Sequence, residues 1–568
     1  MTLVDTLRAD APMLLVLFPL IGAAIAALGK VVPRARFTRY LGVVALAPAV
    51  VVLAVTLRPL YAGGAPAVYA VGGFTMEPGI TLMLDGLAWI SSALIMVITA
   101  IVAVASLPHR RFDATYQFFL LMTAAGMQSV VVTTDLFTMF VSFEIVAIGV
   151  YVLIAWERTA QGLLASLKYL FLSSVGILFF LLGVFLVYRD LGTLSLLTIT
   201  RGASASWTPR VAASAVAALC VGIGVRTAFV PFHTWLPEAH AWAPHPVSAL
   251  LSGVLIKISF LAMVRIVVAF RAVALQPLFV WLGAITALVA VVWALAQHDA
   301  KRLLAFHSIS QMGFILAAWG AADALAATAA YGHAVSHALF KALLFLVVGI
   351  AIERSGSRDV FRMRGVARGA PLLAVGLVVG AAAISGIPPM NGFVSKRLVS
   401  AAMYGSPAYL LLRIAAVGTV ASFLKLSRVL LPAPRGEYAV ADGRNAADGR
   451  QSGGVPTGMR LPVAEGAAVA VLLILVVGTG VVGPQLAGGA ARLVGAPAEI
   501  PDVYRPSGLV DTVLTVGLGA ILAALVLSPP GRRIGERISA VAPQLGTVLV
   551  FFVGGLVLFA LVPLLAAG

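Results

Sequence analysis

An all-α, polytopic membrane protein is the fold class this sequence predicts, on three observations. Hydrophobic residues fill 61% of the 568 positions and charged ones only 11%, with a mean hydropathy of +1.04, far from the balance of a soluble domain. Apolar runs of about 18 residues or more recur along the whole chain, each long enough to cross the hydrocarbon layer as a helix. These runs are continuous and do not alternate apolar with polar residues, which argues against a β-barrel.

In chain order, spans are expected near 12–29, 38–57, 84–107, 114–132, 135–155, 163–187, 211–230, 246–270, 274–296, 302–321, 324–352, 370–404, 407–432, 462–484, 508–528 and 543–566. The first resembles a signal peptide in position. Its basic residues follow it, however, and no clean cleavage site appears, so it is read as span 1. The seventh span is interrupted by Pro231 and Pro237 in PFHTWLPEAHAW, and the twelfth inside Ser385-Gly386-Ile387-Pro388-Pro389. Proline removes a helical hydrogen bond, and backbone groups freed at membrane depth must line protein or water.

Two interrupted helices five positions apart suggest two equivalent five-helix units, 114–270 and 274–432. An odd number of spans inverts the second unit relative to the first. Residues 1–113 supply three preceding spans, 433–461 read as a polar cytoplasmic linker, and 462–568 hold the C-terminal spans. The expected architecture is about 14 core helices, broken at the seventh and twelfth, plus about 2 extra C-terminal helices.

A net charge of +17 would suggest nucleic acid in a soluble protein. Here the cations sit in short loops, so they read as topology signals and no nucleic-acid partner is expected. Odd-numbered loops hold about 21 Lys and Arg, against about 8 in the even loops and termini. The odd loops should therefore be cytoplasmic, in a cell membrane crossed many times, with both termini outside. The lone Cys220 lies within an apolar run, which excludes disulfides, iron–sulfur ligation and cysteine-based zinc sites. No GxGxxG follows a strand and no Walker A sequence occurs, so no nucleotide or other cofactor is expected.

The candidate chemistry lies in charges at membrane depth, where each costs roughly 2.5–3.5 kcal/mol on insertion scales. Glu144 sits mid-helix among Phe137, Phe140 and Phe143. Such a carboxylate either pairs statically with a cation or exchanges a proton. Arg226 lies in the interrupted seventh span, and Lys257 about twelve residues into the next, too deep to snorkel. His333, His337 and Lys341 recur at i, i+4 and i+8, forming a titratable ladder on one helix face. Two histidines at that spacing also suit a metal, but no acidic partner lies nearby and Lys341 would repel a cation, so no metal is expected. Lys396 closes the broken segment GIPPMNGFVSK, and His307 can extend the series toward the first unit. Lys168 reads either as a snorkelling lysine or as the first cation of a relay. Arg413 and Lys425, also within an apolar span, receive no role.

Together these motifs resemble the proton-translocating antiporter family shared by Mrp sodium/proton antiporters, the membrane arm of NADH:quinone oxidoreductase, and membrane-bound hydrogenases. The resemblance runs over about residues 75–430, through the Glu144 helix, ASLKYL at Ala165–Leu170, PFHTWLPEAHAWAPHPVSALLSG, Lys257, DAKRLLAFHSISQMG, the His333–Lys341 helix and GIPPMNGFVSK. It implies fourteen helices with two inverted repeats, and an ion path along a central row matched by Glu144, Lys257, His337 and Lys396. One position departs: the family usually carries lysine where this chain has Arg226, and a guanidinium does not deprotonate in proteins.

The wording of the core looks most like the D-type component of the Mrp sodium/proton antiporters. A branch with a long lateral helix is disfavoured, because only about fourteen polar residues follow Ser528 before the last span. The resemblance thus implies the proton-translocating subunit of a multisubunit monovalent cation (Na+)/proton antiporter, embedded in lipid with other membrane subunits as partners. Two alternatives stand beside it. One is a proton-pumping subunit of a quinone oxidoreductase or hydrogenase; the other is a non-transporting scaffold in which Arg226 freezes the first site.

Overall fold

The computed structural model describes residues 2–29, 36–73, 79–202, 209–432 and 460–540, with 553–555, 557 and 561. The first helices are α1 (Ala11–Leu28) and α2 (Phe37–Tyr61). A two-stranded antiparallel hairpin that the hydropathy pattern does not predict follows, β1 (Ala67–Ala70) against β2 (Thr81–Leu84), with Ala67 opposite Leu84. Next come α3 (Gly86–Ser106), α4 (Ala114–Val132), α5 (Leu136–Ile154), α6 (Ala160–Leu191), α7 (Pro209–Thr227), the short α8 (Leu236–Trp242) and α9 (His245–Ala269). The second half holds α10 (Gln276–Ala296), α11 (Ala300–Gly320), α12 (Ala324–Ser355), α13 (Pro371–Ser385), α14 (Asn391–Ala402) and α15 (Tyr409–Leu430). After it come α16 (Val463–Val481), α17 (Gly483–Leu493), α18 (Pro506–Leu527) and α19 (Pro529–Ala540).

Among the described residues, 13 helices are long and apolar enough to cross a membrane, and two shorter apolar helices mark the interrupted spans. These correspond to the first fifteen expected spans. The sixteenth, near 543–566, and the linker at 433–459 lie outside the described residues, apart from the few near the C-terminus named above.

Both interruptions differ in detail from the sequence expectation. The seventh span ends at Thr227, ahead of Pro231, because Ala228 turns the chain with φ 59° in the left-handed region. The twelfth divides cleanly into α13 and α14, with Gly386 at φ 75° supplying the C-terminal stop. A π-helical turn, Leu251–Leu255, lies inside α9.

The two five-helix units repeat their local signals in register. Asp135 caps α5 and Asp299 caps α11, each accepting a backbone N–H three residues on. The third helices, α6 and α12, both run for 32 residues and stop at left-handed glycines, Gly192 and Gly356. Asp135 then bridges Ser195, and Asp299 bridges Asp359. Every one of these pairs is separated by the same interval in sequence.

The units meet around α9, α11 and α12, which are almost wholly shielded, whereas α18 is largely exposed at the periphery. Helices α10 and α11 cross at very close range through Gly283 and Ala287 on one and Gly313 and Ala317 on the other. A Cβ on Gly283 would strike the Ala317 backbone, and one on Gly313 would lie 2.5 Å from both Ala287 N and Gly283 O. Small residues let backbones approach where lipid gives no hydrophobic drive to associate. Gly283→Val and Gly313→Val should each destabilise the protein by about 1–3 kcal/mol. Thermal unfolding in detergent checks this, with Gly517→Val as the neutral control, since nothing lies within 4 Å of a Cβ there.

Candidate functional site

A group of buried amines and imidazoles runs through the centre of the molecule, built from both units. Lys257 lies just past the π-turn of α9, and its Nζ donates to the Ser252 carbonyl within that turn. A π-turn displaces carbonyls from the regular ladder, which explains why one is free to accept here. The Ser252 hydroxyl meets that of Ser308 on α11 at 2.8 Å, joining α9 to α11. Lys341 on α12 donates to Leu304 O, also on α11, and lies 5.1 Å from the Phe345 ring.

One helical turn separates each member of the ladder on α12. The His333 and His337 rings lie 6.3 Å apart and nearly parallel. His333 Nε2 donates to the Gln311 side-chain oxygen at 3.1 Å, while Nδ1 meets the Ser395 hydroxyl at 2.9 Å. His337 is equally buried, yet neither ring nitrogen has a protein hydrogen-bond partner. It lies within electrostatic reach of Lys257, Lys341, His333 and Lys396. At the broken twelfth span, Lys396 Nζ donates to Ile384 O at 2.6 Å, in the last turn of α13, and sits 5.2 Å from the Phe314 ring. The carbonyl end of a helix is electronegative and carries unpaired acceptors, so it suits a cation.

The structure thus brings together Lys257, His333, His337, Lys341 and Lys396. Glu144 and Arg226 form a separate pair. Arg226 Nη2 donates to Glu144 Oε1 at 3.2 Å, and the guanidinium lies 5.1 Å from the Phe143 ring. Arg226 is 2% exposed whereas Glu144 is 40% exposed, so the carboxylate faces outward from the chain at membrane depth. Two guanidinium nitrogens, Nε and Nη1, have no protein partner. Lys168 is exposed on the outer side of α6, away from the row, as a snorkelling lysine would be.

Two members, Lys301 and His240, are not singled out by the sequence. Lys301 donates to Ala243 O at 2.5 Å, at the end of α8, and His240 stacks on Phe345 at 4.7 Å. His240 lies within electrostatic reach of Lys341, Lys301 and Lys257, and His307 within reach of Lys341, Lys396 and Lys425. Lys425, to which the sequence gives no role, caps the end of α10 through Leu295 O at 2.6 Å and Gln297 O at 2.7 Å. Arg413 and Arg397 both pair with Asp511 of α18, beside a small cavity that Lys396 also lines. A legible signal for Lys301 and Lys425 is composition: the chain has seven lysines against 32 arginines, and five of the seven belong to this group. Among the described residues every ion pair with a carboxylate uses Arg or His, never Lys.

The family described as NADH:quinone oxidoreductase/Mrp antiporter, TM, matches residues 133–423, just over half of the chain. The NADH-quinone oxidoreductase subunit N of Desulforudis audaxviator is 31% identical, over 84% of this chain and 95% of its own length. A hydrogenase-4 component F homolog of Methylacidiphilum infernorum is 34% identical, over 58% of this chain and 71% of that one. Among solved structures, a chain of the Mrp complex from Dietzia sp. DQ12-45-1b superposes with a TM-score of 0.76 at 26% identity, covering 90% of this chain and 100% of that chain. By the extent of these matches, the chain belongs to the NADH:quinone oxidoreductase/Mrp antiporter transmembrane family.

Proposed function

We propose that this chain is the proton-translocating subunit of a multisubunit monovalent cation (Na+)/proton antiporter, in which protons move along the buried row from Lys257 to Lys396. The observation that carries this reading is how the row is held. Its lysines rest on main-chain carbonyls instead of carboxylates. Each can therefore exchange a proton with a neighbour without breaking an ion pair. Proton transfer needs groups linked by hydrogen bonds or by one or two waters, and the ladder on α12 with its serine and glutamine neighbours supplies such links.

In this reading Lys257 bridges the two units, His337 and His333 relay, Lys341 sets the local charge, and Lys396 at the broken helix exchanges with the outside. The Glu144–Arg226 pair acts electrostatically: Arg226 cannot pass a proton, but its single bond to Glu144 and its two unpartnered nitrogens leave the pair free to change geometry. Odd-numbered loops then face the cytoplasm, following the excess of basic residues there. The likeness to the Mrp complex supports the coupling to a monovalent cation. The match to a quinone oxidoreductase subunit over nearly its whole length supports a second reading, the same module driven by electron transfer in partner subunits.

Lys257→Ala, His337→Ala and Lys396→Ala should each lower coupled transport by about 100-fold while the complex still assembles. Proton movement in liposomes carrying the purified complexes reads this, and near-normal rates for Lys257→Ala and Lys396→Ala would sink the relay. In the same assay Glu144→Gln should reduce transport strongly, whereas Arg226→Lys should sustain it. If neither change alters the rate, the first unit is a scaffold.

A further inference from the structure

We infer that His109, His245, Glu353 and Glu465 form a site for a divalent transition metal of the zinc class, clasping four helix ends at one face of the membrane. One ligand atom from each residue lies within 4.8 Å of all the others. His109 sits in the connection from α3 to α4, His245 opens α9, Glu353 lies in the last turn of α12 and Glu465 in the first turn of α16. All four positions flank odd-numbered connections, so alternation puts them on the same side.

His109 Nε2 donates to Glu465 Oε1 at 2.7 Å, and His245 stands between the two carboxylates, Nδ1 3.3 Å from Glu353 and Nε2 4.0 Å from Glu465. The side chains of His245 and Glu465 are each 2% exposed, while His109 and Glu353 are reachable from outside. Neither ring nitrogen of His245 makes a well-formed hydrogen bond, and Glu465 Oε2 makes none. A buried imidazole aimed into a carboxylate pair without bonding it is costly unless another partner joins them. Gly349 is what admits it, because a Cβ there would collide with the His245 side chain.

Zinc bonds of about 2.0–2.2 Å set tetrahedral ligands about 3.3–3.5 Å apart, so side-chain shifts of roughly 1 Å gather this set around one ion. Two imidazoles with two carboxylates suit zinc, and not calcium or magnesium, which take oxygen alone. The surroundings also fit. Arg354 holds the other oxygen of Glu465 at 3.6 Å, and Arg111 holds Glu353 while reaching Glu157 at 3.4 Å. Such partners orient ligating carboxylates. With neutral histidines, three carboxylates face two guanidiniums in this cluster, leaving an excess negative charge that the cation offsets. The sequence hides the site because its ligands come from four distant segments, whereas the visible two-histidine motif on α12 has no carboxylate beside it.

The test uses the full chain, stripped with a chelator and titrated with Zn2+ against a chromophoric competitor, with Co2+ as the spectroscopic probe. One equivalent of Zn2+ should bind, and Co2+ should give the visible absorption of a four-coordinate site. His109→Ala, His245→Ala and Glu465→Gln should weaken binding by about 100-fold, while His337→Ala leaves it unchanged. His109 lies on a partly exposed connection, so its variant reads the site even where the buried ones fail to fold. Absence of stoichiometric binding, or unchanged affinity in His109→Ala and His245→Ala, overturns the inference and leaves the cluster an ion-pair latch.

Discussion

Inside a membrane, a main-chain carbonyl that loses its helical partner must find another, and most of this molecule's chemistry follows from that constraint. The chain breaks two spans and swells a third by a π-turn, and buried lysines satisfy the carbonyls so exposed: Lys257 at the π-turn, Lys301 at the end of α8, Lys396 at the end of α13. Lys425 does the same at the end of the unbroken α10. Ammonium groups without counter-ions are normally too costly to keep at this depth. Here the electronegative ends of helices take the place of carboxylates, so the cations are held without being neutralised. Irregular backbone and buried charge are two sides of one arrangement.

The overall fold was legible because hydrophobic length is a strong signal and proline and glycine mark interruptions. The ladder on α12 was legible as well, since spacing by four residues on one helix needs no tertiary information. What the sequence hides is of another kind. The break in the seventh span occurs at Ala228, not at the nearby proline, because a left-handed residue stops a helix without any compositional mark. Lys301 and His240 stand inside recognisable motifs, yet their roles depend on which carbonyl or ring another helix presents. The cluster around His245 draws its members from segments hundreds of residues apart, and no periodicity connects them. The relative scarcity of lysine is the one overlooked signal: surface cations here are arginine, so a lysine in this chain is already a mark of depth.

The internal repeat carries the same lesson at larger scale. Capping aspartates, stop glycines and short bridges recur at one fixed interval, although the side chains between them have diverged. The signals that begin and end helices are shared by the two units, while their inward faces have specialised. The first unit keeps one outward-facing ion pair at its centre. The second holds most of the exchangeable groups, and the close crossing of α10 and α11 gives it a stiff floor on which to seat them.

The matched lengths of α6 and α12 have a mechanical consequence. A helix of 32 residues extends about 48 Å, against a hydrocarbon thickness of about 30 Å, so neither can stand upright and stay within the lipid. Each must lean or project, and because the units are inverted they do so toward opposite faces. Leaning responds to the thickness of the surrounding lipid at a cost of fractions of a kcal/mol per Å. Helix α12 carries His333, His337 and Lys341, so lipid chain length acts as a lever on the spacing between this ladder and the carbonyls of α11.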